Sequence, residues 1–81
     1  MALSDLAEKL AEYRARLDAG HADRISPAHV DRVVDKLEAK RARLVEELAT
    51  ATADTERERL GRKRAKVEAL IEQAHWLRDR L

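Results

Sequence analysis

His21, His29 and His75 are the side chains of this 81-residue chain best suited to proton transfer or metal ligation. Their spacing does not gather them. No two form an i,i+4 pair, there is no HExxH segment, and no glycine-rich stretch could cradle a phosphate. His21 and Asp23 with His29 and Asp31 could present donors at the mouth of one loop. Short polar loops of that composition are more simply read as solvated. A catalytic or metal constellation needs several donors converging in a pocket. Ser4 and Ser26 read as helix caps rather than nucleophiles, and the chain has no cysteine, so thiolate chemistry is excluded. The expectation is no enzyme activity, no metal and no cofactor.

Two other groups of residues could carry recognition. Residues 57–66 hold Arg57, Arg59, Arg62, Lys63, Arg64 and Lys66 against one acid, Glu58. On a helix Arg59, Arg62, Lys63 and Lys66 fall at i, i+3, i+4 and i+7, along one side, where they could track a phosphate backbone. No aromatic residue interleaves them for stacking. Glu46 and Glu47 would stand near the same end of a hairpin and could neutralise part of the stripe. The second group is Trp76 with Ala65 and Ala69, a narrow apolar strip about 150° from the main apolar face of its helix. Tryptophan is over-represented among residues that dominate binding energy, so the strip is a candidate partner-binding surface.

These residues depend on helices to place them. Ala, Glu, Lys, Leu and Arg fill 52 of the 81 positions, with only two glycines and one proline, a composition that reads as all-α and coiled-coil-like. Helices are expected over 4–19, 27–51 and 55–80. Ser4 would cap the first, with Leu3, Leu6, Leu10, Tyr13 and Leu17 on one face and Gly20 closing it. Ser26, Pro27 at the first helical position, and an Ile25–Val30 staple mark the second start. Val30, Val33, Val34, Leu37, Leu44, Val45 and Leu48 make its stripe, with the stem of Arg41 covering apolar surface in the middle. Leu60, Val67, Leu70, Ile71, Ala74, Leu77 and Leu81 make the third.

Between the last two stripes, Ala49 to Arg59 contains no Val, Leu, Ile or aromatic residue, and the stripe resumes rotated by roughly 80°. A reversal within residues 49–55 is expected, with Thr55 and Glu58 as a capping box for the third helix. The predicted fold is therefore a short N-terminal helix plus a long antiparallel hairpin, in one domain over 1–81. The rival is one continuous helix from Pro27 onward, since no glycine or proline marks the turn.

Eleven leucines, five valines, two isoleucines and no phenylalanine make a thin apolar inventory. Chains of this size seldom reach comfortable stability without a staple or a partner. The leading expectation is a non-catalytic protein–protein interaction or scaffold module that self-associates as a homodimer. The alternative is a small nucleic-acid-binding regulator using the basic stripe, against which the net charge of +1 weighs. The apolar runs are too short for a membrane span, and the first residues lack a signal-peptide pattern, so the expected location is cytoplasmic.

Overall fold

The computed structural model describes residues 2–81. It contains α1 (Leu3–Asp18), a 3-10 turn (Ala22–Arg24), α2 (Pro27–Thr50) and α3 (Asp54–Arg78). α2 and α3 form the antiparallel hairpin: Arg78 near the end of α3 bonds Asp31 near the start of α2 at 2.9 Å, while Arg57 reaches back to the last turn of α2. The rival continuous helix is excluded, because the chain leaves α2 through Ala51 in extended conformation.

The reversal needs no glycine for a physical reason. A left-handed residue is the usual way to satisfy the last carbonyls of a helix. Here the Arg57 guanidinium does it instead, donating to the Leu48 carbonyl at 2.9 Å and the Ala51 carbonyl at 3.0 Å. The Thr50 hydroxyl adds a bond to the Glu47 carbonyl at 3.2 Å. By contrast, α1 ends on a left-handed glycine. Gly20 has φ +79°; its N–H bonds the Leu17 carbonyl and the His21 N–H bonds the Arg16 carbonyl, the paired arrangement of a Schellman motif.

Four local expectations need correction. α1 begins at Leu3, one residue earlier than Ser4 would set it; Ala2 is the cap, and the Asp5 carboxylate accepts the Ala2 N–H at 3.3 Å. Starting there lets Leu3 join the face that packs on the core. Ser26 stands at the cap of α2, with Pro27 after it, yet its side chain makes no capping bond. α3 starts at Asp54 after Ala53, so Thr55 lies inside the helix and the Thr55–Glu58 capping box does not form. The first turn of α3 instead carries Asp54 and Glu56 at the positive end of the dipole. Finally, Val45 is 41% exposed rather than part of the stripe. The helices end at Asp18, Thr50 and Arg78, one or two residues short of the expected bounds.

The core is wholly apolar. Leu6, Val30, Leu37, Leu60 and Val67 are its most completely enclosed large side chains, and Ile25 and Val30 are both buried as a staple requires. α1 packs on one side of the hairpin. Leu3 lies beside Lys63 and Val67 of α3 and beside Leu44 of α2, whereas Leu6 and Tyr13 lie by His29 and Val33. α1 therefore runs antiparallel to α2 and parallel to α3. The hairpin tip extends past the start of α1, and the body is a rod of 47 × 20 × 18 Å.

Candidate functional site

Trp76 sits where α1 meets α3. It is half-buried, and it lines a groove of about 590 Å³ together with Leu10 and Arg14 of α1 and Glu72, His75 and Leu77 of α3. The Arg14 guanidinium lies 4.1 Å from the ring centroid and that of Arg80 lies 3.5 Å from it. Two groups that close cannot share one face of an indole, so the ring is held between them. Arg80 also donates to the Trp76 carbonyl at 2.9 Å, and Arg14 bonds Asp18 at 3.1 Å. Helical angle alone leaves open whether a short α1 extends as far as Trp76; the contact with Arg14 shows that it does. Both faces of the ring are thereby occupied by cations, and its accessible part is an edge.

Ala65 and Ala69 share the helix face of Trp76 but not its groove. They are exposed and line a separate open depression with Arg41, Glu68, Ile71 and Glu72. Glu72 and His75 border both hollows. Arg41 is half-buried along this flank, as a stem covering apolar surface would be.

The basic stripe divides by use. Arg57 closes the turn, Arg59 pairs with Glu56 at 2.8 Å, and Arg64 pairs with Glu68 at 2.9 Å. Arg62, Lys63 and Lys66 are exposed and make no ion pair among the described residues. Glu46 and Glu47 form no ion pair with the stripe. Instead Lys40 and Arg43 of α2 border the same small depression as Lys63, with Glu47 as its one acid, next to Leu3. Sequence patterning on α2 misses these two cations because both lie off the apolar stripe and read as flanking polarity.

A second charged feature also escapes the apolar reading of α1. Asp5, Glu8 and Glu12 are exposed around a shallow surface with Ala11 and Ala15, which half-buried Lys9 also borders as its one cation. Their spacing of three and four residues is plain in the sequence, but attention to the leucine face hides it. The histidines stay apart: His29 is near Tyr13 and Arg32, and His75 borders the Trp76 groove. Among the described residues no group of three or more acidic or histidine side chains is placed to hold a metal ion, and no helix is long and apolar enough to cross a membrane. No family model, curated protein or solved structure matches the chain.

Proposed function

We propose that this chain is a non-catalytic helical interaction module that works by self-association. The observation that carries the reading is surface in relation to size. The chain exposes 5518 Å², against about 4,900 Å² for a compact monomer of 9.2 kDa. Its radius of gyration is 14.4 Å, where a compact chain of this length has about 12 Å. A rod of three helices leaves long side surfaces open to water, and side-by-side pairing is the direct way to cover them. The excess of about 600 Å² approaches the roughly 800 Å² per partner of a standard interface. Exposed Val45, Ala65 and Ala69 supply apolar area on one flank, and the Trp76 groove supplies it on another.

Sedimentation equilibrium from low to high micromolar protein tests the reading. A rise in mass toward twice the chain is expected. A cooperative monomer with concentration-independent melting removes it. The second reading, nucleic-acid binding, is favoured by one observation, the lack of ion-pair partners for Arg62, Lys63 and Lys66 beside Lys40 and Arg43. A salt-dependent mobility shift of labelled duplex, lost on Arg62→Glu with Lys66→Glu, would promote it.

A further inference from the structure

The chain carries two charged ridges of opposite sign and equal length. On α1, Asp5, Glu8 and Glu12 stand at offsets of zero, three and seven residues, three acids against the single half-buried cation Lys9 on that surface. On α3, Arg59, Arg62 and Lys66 stand at the same offsets, and Arg59, Lys63 and Lys66 supply the reversed order of zero, four and seven. Each ridge spans about 10 Å of helix axis. All seven side chains are exposed. The outermost members have local partners: Asp5 accepts the Ala2 N–H and Arg59 holds Glu56. Glu8, Glu12, Arg62, Lys63 and Lys66 make no ion pair among the described residues.

The ridges cannot neutralise each other within one chain. Leu3 lies beside Lys63 and Val67, so the acidic ridge climbs along α1 from the level at which the basic ridge ends. A second copy turned by a two-fold axis between the ridges brings each onto its opposite. We infer that the two ridges are the mating surfaces of an isologous homodimer, α1 of each protomer lying against α3 of its partner. Such an interface is self-complementary because one chain contains both halves of the match. Ala11 and Ala15 beside the acids leave room for the helices to approach. A nucleic-acid occupant fits less well. A phosphate strand along residues 59–66 would run toward Asp5, Glu8 and Glu12, and the chain as a whole carries only +1.

This inference rests on the self-association reading and adds to it the surface and the force. The test uses the full chain in sedimentation equilibrium, with circular dichroism confirming that each variant folds. Raising NaCl from about 50 mM to about 500 mM shortens the screening length from about 14 Å to about 4 Å and should raise the dimer Kd at least about tenfold. Glu8→Lys with Glu12→Lys makes both ridges basic, and Arg62→Glu with Lys66→Glu sets two acids against Arg59 and Lys63 and cancels the charge of the basic ridge. Each variant alone should weaken dimerisation by a similar factor. An equimolar mixture of the two should associate with each other, and the chain bearing all four changes should pair with itself again.

Reversals that leave Kd unchanged, or a mixture that forms no heterodimer, overturn the interface while leaving a dimer built elsewhere. A chain that stays monomeric at every concentration and salt overturns the interface and the self-association reading together. Retention of a random-sequence duplex at low salt that Arg62→Glu with Lys66→Glu abolishes, with dimerisation indifferent to both reversals, assigns the basic ridge to phosphate and overturns the proposal.

Discussion

Gly20 and Gly61 both have open space where a Cβ would go, with nothing within 4 Å of either, yet replacement by alanine acts on them in opposite directions. Gly20 holds φ +79° to close α1, a conformation that costs an L-residue about 1–2 kcal/mol. Gly20→Ala should lower stability by about 1 kcal/mol through the backbone alone. Gly61 lies on the exposed side of α3 in regular helix, where glycine is about 1 kcal/mol poorer than alanine. Gly61→Ala should raise stability by up to that amount. Urea denaturation of the two variants reads both signs, and a matching sign would show that one backbone assignment is wrong. Trp76→Ala removes a half-buried ring and its contacts with Arg14 and Arg80. The expected loss is about 2 kcal/mol, less than the roughly 3–5 kcal/mol for a wholly buried large aromatic. The same measurement reads it, and a loss below about 0.5 kcal/mol would mean that the ring contributes little to holding α1 on α3.

At the scale of the element, the α2–α3 turn depends on a side chain that follows it. Arg57 spans nine residues back to Leu48 and six back to Ala51. Arg57→Ala should therefore cost about 1 kcal/mol although the residue is exposed and outside the core, and Arg57→Gln should recover part of it. Thermal melts of both variants check this; equal, unchanged midpoints would show that water caps the helix end as well. This turn also marks the limit of what the sequence makes legible. The gap in the apolar pattern from Ala49 to Arg59 places the reversal, because a stripe that stops and resumes rotated has no buried face in between. The Gly20 and Pro27 boundaries are legible because each residue has a conformation it alone suits. The starts at Leu3 and Asp54 are not. Alanine at the caps leaves no sequence signal, and Ser4 and Thr55, two residues further on, imitate one. Val45 departs from its pattern for a related reason: it lies within helical reach of the stripe, yet it stands at the edge of the packed face and stays 41% exposed. The surface charges were legible as spacing and not as sites, since only packing reveals which cations already serve a turn or an ion pair.

At the scale of the whole molecule, the hairpin brings Glu38 of α2 level with Glu72 of α3. Both are exposed, so spin labels there leave the core intact, and their separation in one chain should be within about 20 Å. A continuous helix would set them about 50 Å apart; dilution with unlabelled protein removes distances between chains. The parallel course of α1 and α3 has a kinetic consequence. Leu3 meets Val67, and Arg14 meets Trp76, partners about sixty residues apart along the chain. Near neighbours in sequence can close the α2–α3 hairpin, but α1 has only the α2 half of its docking surface until α3 has folded back. α1 is then the last element to arrive and the first to detach. Its amides should exchange with deuterium faster than those of Val33–Leu37 and Val67–Ile71, through openings that leave the hairpin closed. Each such opening uncovers Leu6 and Leu10 for as long as α1 stays away.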